Sequence, residues 1–285
     1  VTEPYLQAFS GICPVAYLDD LQLFDYPVDL VINYDVIPED MLPSYQAAYK
    51  RAGQMLLGAS YTPLRSQFQM EVPAVRPSVK DILITTGGSD PYHFCLNLLS
   101  RFQERLSALI AEPDFHLHVL IGSLNEDKRL LRELAAELSF LRLHENVTDM
   151  AALMASCDLA ISAAGTTLYE LCAVGIPAVS YSFADNQLPS SLAFANVGAV
   201  PYAGDLRVDT ESCSIVPSPD SKDTGSAHGL PDVLSAVCHF VTDMSGNIAK
   251  RKSAQQSMHR LIDGKGSCRI ARALEECAFH NFRSP

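Results

Sequence analysis

The sequence predicts an α/β protein built on parallel sheet, and three observations carry that expectation. Short apolar, β-rich runs alternate with longer stretches of helical periodicity, the βαβ pattern of a sheet covered on both faces. Glycine-bearing turns close several of those runs and open the helix that follows. The length of 285 residues reaches the range, roughly 250 to 300, in which one hydrophobic core gives way to two.

Taken in order, residues 1–75 offer strand candidates at 13–18, 29–33 and 55–58, with too few helices to cover them. They read as half a domain. Pro73 and Pro77 punctuate the passage to the next strand and mark an interdomain linker. A strand at 81–86 leads through a glycine turn to a helix at 94–110, whose apolar positions include Leu98, Phe102, Leu106 and Leu109. Then come a strand at 116–121, a charged amphipathic helix at 125–138, a short strand at 141–143 and a short helix at 150–156. A strand at 158–162, a helix at 167–174 stopped by Gly175 and a strand at 177–181 bring the unit to about five parallel strands. Between 205 and 230 the chain turns polar and rich in Ser, Asp, Pro and Gly, as an exposed loop does. Helical spacing resumes at 231–243, 248–262 and 267–277. The expected organisation is therefore 1–75 as part of an amino-terminal Rossmann-like domain, 80–265 as a second Rossmann-like domain and 266–285 as a terminal helix.

Composition narrows the partners. With 48% hydrophobic and 19% charged residues the chain is an ordinary globular protein. A net charge of −12 leaves no basic footprint for nucleic acid or anionic lipid. A small phosphorylated ligand stays compatible, because backbone N–H groups at a helix N-terminus hold phosphate without Lys or Arg. The eight cysteines are scattered, without zinc spacing, and read as reduced and mostly buried in a cytoplasmic protein. The longest apolar stretch, near 171–184, contains Gly and Pro and falls short of a membrane span. No basic and then apolar leader opens the chain at Val1.

Three motifs lie at expected strand ends. Gly87-Gly88-Ser89-Asp90 follows the strand at 81–86, where open α/β sheets place ligands, and its glycines let backbone approach phosphate oxygens. A plain tight turn with Asp90 as helix cap fits the same residues. Gly165-Thr166-Thr167 repeats the geometry, with Glu170 one turn in to accept hydrogen bonds from a diol. Thr167 and Glu170 also have capping-box spacing. Asn186-Gln187 brings neutral amides to a third strand end. Three loops on one rim make a pyrophosphate-and-ribose site for a nucleotide-activated sugar. Weaker candidates take structural readings: His116 and His118 share a strand face but have no carboxylate or Cys at metal spacing, Asp19 and Asp20 are strand-ending turn acids, and Gly264-Lys265-Gly266 is a turn between helices. No metal and no cofactor are expected.

The segment 158–187, together with Gly87-Gly88-Ser89-Asp90, resembles the carboxyl domain of GT-B-fold enzymes related to the UDP-N-acetylglucosamine transferase of peptidoglycan synthesis. It resembles more closely the family of the sugar-nucleotide hydrolase of pseudaminic acid synthesis and the spore-coat polysaccharide biosynthesis proteins. Leu18-Asp19-Asp20-Leu21, the run Asp29 to Asn33, Leu56-Leu57-Gly58, Tyr61 and Leu64-Arg65 stand in that family's order, over residues from about 16 to 200. The resemblance implies a GT-B-like fold of two Rossmann-type domains, with the amino-terminal one incomplete. It implies pyrophosphate contacts from Gly87 to Asp90 and from Thr166 and Thr167, ribose held by Glu170, and Asn186 and Gln187 on the sugar side. It further implies that a catalytic histidine, in a Gly-x-Gly-His-x-x-Arg loop not found here, belongs before Val1, so no catalytic residue is assigned. His93 stands where the family usually has Asn. The expected activity is hydrolysis of a UDP-activated acetamido-deoxy sugar for polysaccharide or pseudaminic-type acid synthesis. A glycosyltransferase using a UDP-sugar is the alternative, and a nucleotide-binding module without catalysis is the third reading.

Overall fold

Two runs of the chain, Leu159–Ala163 and Ala178–Ser182, are buried at every residue. Unbroken burial marks strands covered on both faces, which places the protein among parallel α/β folds. The computed structural model describes residues 1–9, 11–207 and 229–281. The chain divides into two units, Val1–Met70 with Arg260–Pro285, and Glu71–His259.

In the first unit β1 (Ala16–Leu18), β2 (Leu30–Asn33) and β3 (Gln54–Leu57) pair in that order, all parallel. Tyr26, Val28, Val31 and Tyr49 fill one face. The other face, Leu30, Ile32 and Leu56, is closed by Ile270 and Ala273 of the carboxyl-terminal helix Gly266–Asn281. Sequence reasoning leaves the first 75 residues short of helices and sets 266–285 apart as a tail. The fold resolves both, because the tail helix is cover for the amino-terminal sheet. It approaches so closely that a Cβ on Gly266 would lie 2.1 Å from the Thr62 carbonyl oxygen.

The second unit holds β4 (Asp81–Thr85), β5 (His116–Leu120), β6 (Leu141–His144), β7 (Leu159–Ala163), β8 (Ala178–Ser182) and β9 (Tyr202–Asp205). They form one parallel sheet in the order β6-β5-β4-β7-β8-β9. The chain winds outward from β4 to β6, then crosses back and winds outward from β7 to β9. The winding reverses between β4 and β7. Helix Phe94–Arg105 lays Phe94, Cys95, Leu98, Leu99 and Phe102 on one face of this sheet, over Ile82, Ile84, Leu117 and Val119.

The observed sheet has a sixth strand, β9, where the sequence suggests about five. β9 is four residues long, contains Gly204 at φ +124°, and pairs with β8 through a register shift. Such a strand has no apolar alternation to read. Helix Leu188–Asn196 is likewise unanticipated, and the helix expected at 94–110 breaks at Leu106, with Ser107–Ile110 following as a separate turn of helix. Most of the polar loop expected at 205–230 lies outside the described residues. Among the described residues no helix is long and apolar enough to cross a membrane.

The proline-punctuated segment after Glu71 is fastened to its own unit. Arg251, 1% exposed, donates to the carbonyls of Arg76 at 2.8 Å, Pro77 at 2.9 Å and Met244 at 2.6 Å. Gln255 donates to the Pro73 carbonyl at 2.9 Å. Removing a buried donor while leaving its acceptors in place costs the acceptors' desolvation. Arg251→Met should therefore lower the unfolding free energy of this unit by about 2 to 4 kcal/mol in urea titrations. A change under about 0.5 kcal/mol would show that these bonds do not hold the segment.

Candidate functional site

Open parallel sheets bind ligands beyond the carboxyl ends of their strands, at the point where the winding reverses. Here that point lies between β4 and β7, and the turns leaving their ends are Thr86 to Asp90 and Ala164 to Thr167. The turn after β8, next in the sheet, carries Asp185 to Gln187. Neighbouring strands stand about 4.8 Å apart, so the three turns share a rim roughly 10 Å long. Side chains tie the rim together. Phe94 stacks on Tyr181 at 4.0 Å, Tyr92 meets Phe183 at 6.4 Å, and the Tyr181 hydroxyl donates to the Thr85 carbonyl at 3.5 Å.

Each sequence-predicted residue has a definite place on this rim. Gly87 sits at φ +77°, a conformation that favours glycine, and Gly88 beside it is exposed. A Cβ on Gly88 would meet nothing within 4 Å, so the fold itself has no steric need for glycine there. Ser89 is half-buried. Asp90 is buried, and its carboxylate accepts from Phe94 N at 2.7 Å and Cys95 N at 2.9 Å. That carboxylate is committed to the start of helix Phe94–Arg105, so Asp90 positions the turn. His93 takes the left-handed conformation, φ +50°, which Asn, Asp and His adopt most readily. Its Nδ1 lies 2.8 Å from Asp127, and this hydrogen bond raises its pKa above the ordinary histidine value.

Gly165 is the N-cap of helix Thr166–Val174 and has extended backbone, φ 171°, with no neighbour within 4 Å of an added Cβ. Neither conformation nor packing requires glycine at this position. No side chain caps the helix, and Thr167 lies inside it, so the capping box suggested by Thr167 and Glu170 is not formed. The first N–H groups of an α-helix lack intrahelical partners, and here they open toward the exposed Gly165 and Thr166. Thr167 and Glu170 are half-buried. Asn186 is exposed, whereas Gln187 accepts from Phe183 N at 2.9 Å and so shapes its own turn. Arg207, which follows β9, is bound to both Asp185 of this turn and Asp205.

The open helix end at Thr166 offers an anion about half an elementary charge. The helix start at Gly165-Thr166 is available, with neither side-chain cap nor Cβ at its N-cap, whereas the first amides of helix Phe94–Arg105 are taken by Asp90, so the first turn offers the backbone of its two glycines instead. One supporting residue was missed by sequence reasoning. Gly122, two residues past the end of β5, packs so tightly under the first turn that a Cβ would stand 2.2 Å from the Gly87 oxygen. The adjacent Leu124 N donates to the Gly88 carbonyl at 2.8 Å. A lone glycine at the end of an apolar run was the signal for it.

The other candidates separate cleanly. Asp19 is buried and accepts from Tyr49 at 2.6 Å and Tyr26 at 2.8 Å, which makes it a structural acid. Gly264 and Gly266 make a turn pressed against Phe68 and Thr62. The thiols of Cys157 and Cys172 are pushed up by burial, the former to about 12, so neither supplies a thiolate at neutral pH. His116 and His118 do find a carboxylate, Asp81, which comes from the neighbouring strand β4 and not from a local spacing. A concavity of about 730 Å³ in the first unit, lined by Cys13, Val15, Val28, Asp29 and Arg51, lies at the amino ends of β1 and β2, the end that parallel sheets do not use for ligands.

No family model matches the chain. The spore coat polysaccharide biosynthesis protein SpsG of Bacillus subtilis is 24% identical over 221 residues, 77% of this chain and 57% of that protein. The pseudaminic acid cytidylyltransferase and UDP-2,4-diacetamido-2,4,6-trideoxy-beta-L-altropyranose hydrolase of Helicobacter pylori is 27% identical over 145 residues, 51% of this chain and 25% of that protein. The chain therefore spans little more than half the length of the first of these relatives and a quarter of the second. Among solved structures, MurG of Acinetobacter baumannii superposes with a TM-score of 0.54 at 13% identity, over 96% of this chain and 76% of that one. The fold is GT-B-like, and the chain is related to GT-B sugar-nucleotide enzymes.

The glycines yield a test that separates fold from ligand. Gly165→Ser supplies a hydroxyl cap that competes for the free N–H groups, so thermal stability should hold or rise while UDP affinity measured by calorimetry falls about tenfold. Gly122→Ala should lower stability by more than about 2 kcal/mol. Unchanged UDP affinity in Gly165→Ser would remove that helix start from the site.

Proposed function

We propose that the chain binds a UDP-sugar at the β4/β7 reversal and serves its hydrolysis, releasing UDP from an acetamido-deoxy sugar destined for surface polysaccharide or a pseudaminic-type acid. The observation that carries this reading is the glycine turn at Gly87-Gly88 and the uncapped helix start at Gly165-Thr166, which flank the reversal with glycines that the fold does not demand at positions 88 and 165. Similarity to SpsG and to the Helicobacter enzyme supports the chemical class of ligand.

In this reading the N–H groups of Gly87, Gly88 and Ser89 and those of Thr166 and Thr167 take the pyrophosphate, with the hydroxyls of Ser89 and the two threonines beside them. Glu170 accepts from the ribose diol, Asn186 and Gln187 rim the sugar, and Asp90 holds the first turn in position. Water attacks the anomeric carbon, the bond from that carbon to the β-phosphate oxygen breaks, and negative charge gathers on departing UDP. Fixed N–H dipoles stabilise such charge best, because they need no reorganisation as it develops. Removing one such donor in acyl-transfer enzymes costs about 10² to 10³ in rate, which sets the scale expected here. No general base is assigned.

The GT-B-like fold keeps a glycosyltransferase as the second reading. Incubation with UDP-diacetamido-trideoxyhexose and no acceptor distinguishes them. Release of equimolar UDP and free sugar is the expected result, strict dependence on an added acceptor would replace the hydrolase with the transferase, and UDP binding without turnover in either condition would leave a binding module.

A further inference from the structure

The second unit carries a separate constellation at the other end of its sheet. Asp81 opens β4 and His116 opens β5, and the two are register partners across the parallel pair. His118 lies two residues along β5, on the same face. His118 Nε2 stands 2.9 Å from Asp81 Oδ1, and His116 Nδ1 stands 3.4 Å from the same oxygen. One donor atom from each of the three residues lies within 4.8 Å of the others. A tetrahedral ion with bonds of about 2.1 Å holds its ligand atoms about 3.4 Å apart, so these atoms stand near the spacing of a single coordination shell.

The outer atoms of the trio are also held. Asp81 Oδ2 pairs with Arg76 Nη2 at 2.8 Å, and His118 Nδ1 lies 2.9 Å from His144 Nε2. Metal-binding imidazoles and carboxylates characteristically have their far atoms anchored in this way. Arg76 is shared with Asp158, at 2.6 Å, so the two acids and one guanidinium keep one negative charge in excess. Side-chain exposures of 16% for Asp81, 14% for His118 and 30% for His116 leave an approach for an ion and a water.

We propose that Asp81, His116 and His118 form a three-ligand site for a divalent transition-metal ion of the zinc class. Two imidazoles with one carboxylate suit such an ion, whereas magnesium and calcium want a shell of oxygens. The site is remote from the nucleotide rim, since the length of β4, about 13 Å, separates Asp81 from the turn at Gly87. An ion there pins β4 to β5 and adds stability that grows with the logarithm of free ion concentration above Kd, because the unfolded chain cannot assemble the trio.

The test uses the full chain after chelator treatment, titrated with Zn²⁺ by calorimetry and with Co²⁺ by absorption. One ion per chain, a rise in melting temperature with Zn²⁺, and cobalt d–d bands without thiolate charge transfer are expected. His116→Gln should weaken Zn²⁺ binding by about tenfold or more. This variant keeps the fold testable, because His116 is the most exposed of the three and its 3.4 Å contact is the longest. Cys13→Ser with Cys268→Ser, at the two exposed cysteines among the described residues, should leave binding unchanged. Absence of saturable Zn²⁺ binding, or full affinity in His116→Gln, or binding lost with the cysteines, would each overturn the site.

Discussion

The junction of β4 with β7 is the constraint on which the rest of the second unit depends. Asp81 and Asp158, at the starts of these two strands, are 77 positions apart, and two intervening strands must be placed before they meet. A single buried carboxylate fastens the junction. Asp158 accepts from Lys80 N at 2.7 Å, Asp81 N at 3.0 Å and both Nε and Nη2 of Arg76 at 2.6 Å. Its burial would be costly without those donors, two of them charged. The Asp158 N–H returns a bond to the Asp81 carbonyl at 2.7 Å, so the amino ends of the two central strands are locked in register. Register at one end of a parallel pair fixes the other end. The turns at Gly87 and Gly165 therefore leave the sheet side by side.

That placement is what would let an acidic protein present an anion site. With a net charge of −12 the chain as a whole repels anions, and Arg207, near the third turn, is spent on Asp185 and Asp205. The uncapped helix start at Thr166, beside the exposed backbone of Gly87-Gly88, supplies positive potential without a side-chain charge. A donor array of this type works only if it is rigid. The stacked Phe94–Tyr181 pair, the Asp90 carboxylate and the press of Gly122 against Gly87 and Gly88 provide that rigidity.

Sequence reasoning reads the strands and the glycine turns well, since continuous apolar runs and turn residues are local signals. The carboxyl-end location of Gly87-Gly88 and Gly165-Thr166 was legible for the same reason. What it reads poorly is anything set by register between distant segments. The role of Asp90 depends on which helix N–H groups it reaches, and Gly122 matters only because its loop passes under Gly88. His116 and His118 look like packing residues until β4 brings Asp81 beside them, and β6 brings His144. There burial, then His118, hold His144 below the ordinary histidine value, while hydrogen bonds from His118 and Arg76 outweigh burial and hold the Asp81 carboxyl low. The carboxyl-terminal helix shows no periodicity that would reveal its partner, which is a sheet formed more than two hundred residues earlier. The short, glycine-kinked β9 lacks even a local signal.

Hydrogen exchange across the second unit, followed with and without UDP, locates the nucleotide most directly. Slower exchange by about tenfold or more at the amides of Gly87, Gly88, Thr166 and Thr167, with residues 116–118 unaffected, is the predicted pattern. Saturating UDP that leaves those four amides unchanged, or that protects only residues away from the β4/β7 reversal, would contradict it.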